Sequence, residues 1–144
     1  MNVRYLLAAS LLVTCAVQAQ DARPQARHEL PVNDCMRTDR ISNWAMVDDR
    51  TVVVANGPNF FKITTSTDCP RMDLGGGVRF RGAENIQAVA PMRICGSITE
   101  KIVRRNEPPC DIASVEKIDK ETYKSLEKKA KRKGSGAEPN GMVH

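Results

Sequence analysis

Apolar and polar residues alternate with a period of two through the middle of this chain, and that alternation predicts strands. Between Ile41 and Val54, two apolar runs are separated by the polar break Asp48-Asp49-Arg50. Such a pattern reads as strand, turn, strand. Trp44 and Met46 fall on one face of the first run, and Val52 and Val54 on one face of the second. A turn signal follows at Asn56-Gly57-Pro58-Asn59, and Phe60 to Thr65 alternates again. Phe61 and Ile63 should face inward, Lys62 and Thr64 outward, so Thr51–Ala55 and Phe60–Thr65 are expected to form a hairpin.

Later segments are less regular. Glu84 to Ala90 reads as a short helical or irregular crossing ended by Pro91, and Gly75-Gly76-Gly77 as a loop needing positive φ. Extended structure is expected to resume at Met92–Cys95 and to continue over Ser97–Arg104. A turn at Arg105–Pro109, stiffened by Pro108-Pro109, should lead into a last strand, Cys110 to Ile118. There Ile112, Val115 and Ile118 recur every third residue, which fits a helix nearly as well. Asp119 is placed to cap a helix over Lys120–Lys133, with Gly134 just past its end. The apolar side of that helix is only Tyr123, Leu126 and Ala130, so it is marginal alone. The expected fold class is mainly β: a small antiparallel sheet or barrel-like domain with disulfides and a short C-terminal helix.

The beginning of the chain changes the setting. Arg4, an apolar run from Tyr5 to Val17, and Val17-Gln18-Ala19 together describe a secretory signal peptide over residues 1–19. The run is too short to be an ordinary transmembrane helix, and no other such segment is expected after cleavage. An alternative is a lipoprotein, with Leu12-Val13-Thr14-Cys15 as the attachment motif and Cys15 as the lipidated residue. The mature chain then divides into a flexible leader, 20–33, a disulfide-linked β-rich domain, 34–119, and a basic helical or disordered tail, 120–144. Its expected location is periplasmic or secreted.

Of the five cysteines, Cys15 lies in the signal, leaving Cys35, Cys69, Cys95 and Cys110. An even number in an exported chain reads as two disulfides with three possible connectivities. Spacings of 34, 26 and 15 residues, without a Cys-x-x-Cys pair, do not suit structural zinc. A nested pairing, Cys35 with Cys110 and Cys69 with Cys95, fits best. The hairpin at Arg105–Pro109 would put Cys110 opposite about Arg104, far from Cys95.

The net charge of +5 is unevenly placed. Residues 34–119 hold twelve basic and twelve acidic side chains, whereas residues 120–144 hold seven basic and three acidic. Lys128, Lys129, Lys131, Arg132 and Lys133 are therefore the candidate binding residues, drawn to anionic envelope components such as lipid phosphates or lipopolysaccharide. Nucleic acid is not an expected partner, because the basic run lacks interleaved aromatics.

Catalytic machinery is scarce. The two histidines, His28 and His144, lie outside the 34–119 domain, which removes histidine-based nucleophilic catalysis there. No metal site and no cofactor is expected. Asp48 and Asp49 fit ordinary turn chemistry, although with a loop acid they are the candidates for carboxylate catalysis; Asp68 and Asp73 lie near the glycine loop but match no calcium loop. Arg37 and Arg40 are expected to pack over Trp44 or to make local ion pairs.

Cys35-x-Arg37, Ile41, Trp44, Asp48, Val52 to Val54, Phe61, Thr64, Cys69-Pro70, Leu74, Cys95 and Cys110-x-Ile112 form a pattern. So arranged, over roughly Asp34 to Ile118, the chain resembles a family of small exported proteobacterial proteins classed as a domain of unknown function. That resemblance implies export and a single domain, and brings no activity or site residues. The expected role is non-catalytic, binding or structural, near the cell envelope. The alternative is a small carboxylate-based hydrolase or an inhibitor of one.

Overall fold

The computed structural model describes residues 27–73, 77–82 and 92–136. The expected signal peptide, Cys15, the start of the expected leader, Leu74 to Gly76, the expected Glu84–Ala90 crossing and residues 137–144 lie outside the described residues.

Among the described residues, nine strands and one α-helix follow in chain order: β1 (Met36–Arg37), β2 (Ile41–Met46), β3 (Thr51–Asn56), β4 (Asn59–Thr65), β5 (Arg79–Arg81), β6 (Arg93–Ile94), β7 (Lys101–Arg104), β8 (Glu107–Ile118), α1 (Lys120–Lys129) and β9 (Arg132–Ser135). Seven strands make one antiparallel sheet in the order β5-β7-β8-β4-β3-β2-β9, curved into a half-barrel. The remaining two, β1 and β6, form a separate short ladder. The mainly β class expected from the alternation is what the chain adopts.

The β2–β3–β4 meander is built as the alternation predicts. Met46, Val52, Ile63 and Val115 stand in one row across four strands, and Trp44, Val54 and Phe61 in the next. All seven belong to one large buried cluster with Met36, Met72, Val78, Phe80, Ile94, Ile102 and Ile112. Cross-strand neighbours of this kind stabilise a sheet through packing.

Two period-three patterns have one cause. Ile41 and Trp44 are three residues apart yet share the large cluster, because the β2–β3 register shifts between Ile41 and Asn43. Ile112 and Val115 do the same across a shift opposite Thr64 and Thr65. An extra residue in one strand turns the following side chains to the other face. Cys110 to Ile118 is therefore a strand throughout, and Ile118, past the shift, packs on the opposite side. The turn before it is shorter than expected. Arg104 pairs with Glu107, leaving Arg105-Asn106 as the connection, with Asn106 at φ 57°. Pro108-Pro109 lies inside β8, in the part that pairs with β7 but extends beyond β4, where a missing N–H is tolerated.

Disulfide connectivity differs from the nested expectation. Cys35 is bonded to Cys95, and Cys69 to Cys110. Met36 pairs with Ile94 in an antiparallel ladder, which sets Cys35 beside Cys95, with Cα atoms 4.6 Å apart. Cys110 lies opposite Ile102, not Arg104, and points into the large cluster. Cys69 reaches it from the end of β4, its N–H donating to the Asp49 carbonyl at 2.6 Å. These bonds close sequence separations of 60 and 41 residues. Cross-links of such length typically contribute about 2–4 kcal/mol.

The second face of the sheet is buried as well. Ala45, Val53 and Ala55 point there and are covered by Tyr123 of α1, with Phe60, Ile118, Leu126 and Ala130 around them. Tyr123 stacks on Phe60 with ring centroids 4.9 Å apart. Asp119 caps the helix as expected: Oδ1 accepts from the Thr122 N–H at 2.7 Å and Oδ2 from its hydroxyl at 3.0 Å. The helix ends at Lys129, earlier than the expected Lys133, because residues 131–135 turn back as a strand. β9 pairs with β2, placing Gly134 against Trp44. A Cβ on Gly134 would lie 2.6 Å from the Trp44 ring, so only glycine admits this approach. Gly134 is therefore a packing glycine within a strand, not the stop of a helix.

Candidate functional site

The acidic turn Asp48-Asp49 joins β2 to β3. Asp48 Oδ1 accepts from the Arg50 N–H at 2.8 Å, a local turn bond that short acidic side chains make readily. The Arg50 guanidinium donates to the carbonyls of Thr65 at 3.2 Å and Ser66 at 3.1 Å, locking the turn to the end of β4. Beside it is an open cleft of about 540 Å³ lined by Asp48, Asp49, Arg50, Thr51, Thr64, Asp68 and Lys131. Asp68 thus joins the two turn acids, while Asp73 does not.

Lys131 enters this cleft because its N–H donates to the Met46 carbonyl at 2.8 Å, next to the turn. Its ammonium lies 3.6 Å from Asp49 Oδ1. Arg132 points the other way and meets Asp73 at 3.1 Å. All three cleft carboxylates are exposed, so nothing strips water from them. Among the described residues no three His, Cys, Asp or Glu side chains are grouped to hold a metal ion.

The five basic candidates are consequently split. Lys131 and Arg132 are each paired with a carboxylate. Lys128 and Lys129 occupy the last turn of α1, where positive charge suits the helix dipole. Lys133 pairs in register with Ala45, whose side chain faces the helix. Helical spacing adds Lys120 and Lys124 to the row that ends in Lys128. Among the described residues, none of Lys120, Lys124, Lys128, Lys129 and Lys133 is in an ion pair, and all five are exposed. A helix anchored by Tyr123 and a strand pinned to β2 carry these five lysines.

Arg37 pairs with Asp39 at 2.7 Å, the local ion pair that was one of its expected roles. The Trp44 ring is met by Gly134 instead of an arginine stem.

Sequence reasoning missed Glu100. Its side chain is 1% exposed, the one buried carboxylate among the described residues. Oε1 accepts from the Cys95 N–H at 2.8 Å, and Oε2 from the N–H groups of Gly96 at 2.7 Å and Ser97 at 3.0 Å. Burial pushes this carboxyl above its ordinary value, against the three N–H donors, which pull it down. The role is structural: one acceptor-only group satisfies three backbone donors in the loop that carries Cys95. Gly96 at φ 99° was a signal that this loop is tight, but sequence gives no φ.

The chain belongs to a family of unknown function, DUF6491, whose model matches residues 1–134. That span reaches beyond the Asp34–Ile118 stretch of the resemblance and includes α1 and nearly all of β9. No curated protein and no solved structure matches the chain. Two disulfides are consistent with an oxidising, non-cytoplasmic compartment. Among the described residues no helix is long and apolar enough to cross a membrane.

Proposed function

We propose that this is a non-catalytic exported protein, periplasmic or secreted after removal of a signal peptide over residues 1–19. It binds anionic components of the cell envelope through the lysines of α1 and β9. The supporting observation is that Lys120, Lys124, Lys128, Lys129 and Lys133 are exposed, and unpaired among the described residues, on elements packed against the sheet. A fixed array of ammonium groups loses less freedom on meeting phosphates than a loose tail does. The carboxylate alternative has the convergence of Asp48, Asp49 and Asp68 in its favour. Its two turn acids are already engaged, however, by the Arg50 N–H and by Lys131.

Vesicle binding tests the reading. The protein should co-sediment with vesicles rich in phosphatidylglycerol at low salt and not with pure phosphatidylcholine. Attraction of about 1 kcal/mol per lysine near an anionic surface means that Lys124→Glu with Lys128→Glu should weaken binding at least roughly tenfold. Failure of the native protein to bind anionic vesicles at low salt would sink the proposal.

A further inference from the structure

The two disulfides occupy different surroundings. Cys69 and Cys110 are both buried and belong to the large apolar cluster. Cys35 is buried too, but it and Cys95 lie outside that cluster, and Cys95 is partly exposed. We propose that Cys35–Cys95 is a redox-sensitive latch on residues 27–37, whereas Cys69–Cys110 is a permanent cross-link.

Residues 27–37 form a strap held by the segment around Cys95 and by Met36, which is buried in the large cluster with Leu30 packed against that cluster. Leu30 N–H donates to the Cys95 carbonyl at 2.8 Å, and Arg93 Nη1 to the Val32 carbonyl at 2.7 Å. Only two residue pairs join β1 to β6. Apart from these, Arg27 Nη1 reaches the Ile112 carbonyl at 2.5 Å, Asp34 lies 3.5 Å from Lys117, and the Asn56 side chain brackets the Arg37 backbone. Met36 of the strap and Ile94 opposite it are both fully buried. The Cys95 side of the latch is fixed independently of the strap. Glu100 grips the N–H groups of Cys95, Gly96 and Ser97, and its own carbonyl accepts from the Ile112 N–H at 3.2 Å on β8. One half-cystine is therefore tethered to β8 through Glu100 and the other lies on the strap, so cleavage removes the covalent hold on the strap and leaves the sheet intact.

The chemistry is thiol–disulfide exchange with an external dithiol. A thiolate of the dithiol attacks the Cys95 sulfur, the bond to Cys35 breaks, and Cys35 leaves as a thiolate that takes up a proton. The second thiol of the reagent then attacks the mixed disulfide and releases Cys95. Two electrons pass from the dithiol, which becomes a disulfide, to the protein, which gains two thiols.

Timed reduction of the full native chain with dithiothreitol, quenched by iodoacetamide and followed by peptide mass analysis, reads this directly. Cys35 and Cys95 should be labelled in a first phase, roughly tenfold or more ahead of Cys69 and Cys110, since access governs the rate. In the same phase trypsin should begin to cut after Arg37 or Arg40, while Trp44 emission stays unchanged. Labelling of all four cysteines together, or of Cys69 and Cys110 first, overturns the proposal. A first phase that leaves tryptic cutting unaltered, or that shifts Trp44 emission, overturns it equally.

Discussion

The two faces of the sheet are stabilised by different means. One carries a large cluster that takes side chains from most strands, and the Cys69–Cys110 bond runs through it. The other is a narrow strip, Ala45, Val53 and Ala55, closed by a helix with one fully engaged side chain, Tyr123. The difference separates two tasks. The first face makes the domain stable, and the second fixes a lysine-bearing helix in place at little cost in apolar area. A surface that presents charge can be built on a small cluster if the sheet beneath is already secure.

Substitutions can break that contrast. The largest effect should come from Ile63→Ala, which opens a cavity at a fully buried position in the large cluster. It is expected to cost about 2–5 kcal/mol, read from urea unfolding. Next is Glu100→Gln, which turns an amide NH2 toward backbone N–H donors; about 1–3 kcal/mol should be lost.

The same residue gives a pH signature. With the folded carboxyl raised above its ordinary 4.5, the folded state holds the proton more tightly than the unfolded state. Its contribution is therefore full below pH 4.5 and declines as pH rises through the folded value. Unfolding curves measured across that window should show this decline in the native protein and lack it in Glu100→Gln.

A comparable effect should fall at the β9 edge. Gly134→Ala drives a Cβ into the Trp44 ring and should cost about 1–3 kcal/mol, with a shift in Trp44 emission. Smallest is Tyr123→Phe. The Tyr123 hydroxyl is buried without a hydrogen-bond partner among the described residues, and burial pushes its pKa up to about 12. Removing it should leave stability unchanged or raise it by roughly 1 kcal/mol. A clear loss would mean that the hydroxyl has a partner and that the strip is more than apolar cover.

Much of the fold was legible because local pattern and tertiary packing agree in the β2–β3–β4 meander. The capped helix and its three apolar residues could likewise be read in advance. What escaped depends on long-range register. A bulge inside β8 mimics helical spacing at Ile112 and Val115, and the pairing of Met36 with Ile94 decides the disulfide partner of Cys35. The unbroken run Val52-Val53-Val54 did contain a warning, since a strand apolar on both faces is covered on both. At the candidate site, the turn role of Asp48 was readable from its position. That Lys131 would come to lie beside Asp49 was not, because it requires the chain to return along β2.

That return has a consequence for the order in which the polypeptide emerges. Until residues 132–135 arrive, β2 is the margin of the sheet, with its outer row of backbone groups unsatisfied and the indole of Trp44 uncovered. Completion of the sheet on this side must await residues 132–135. A product truncated just before Arg132 would carry a bare, sticky rim and would be expected to self-associate where the intact protein stays dispersed.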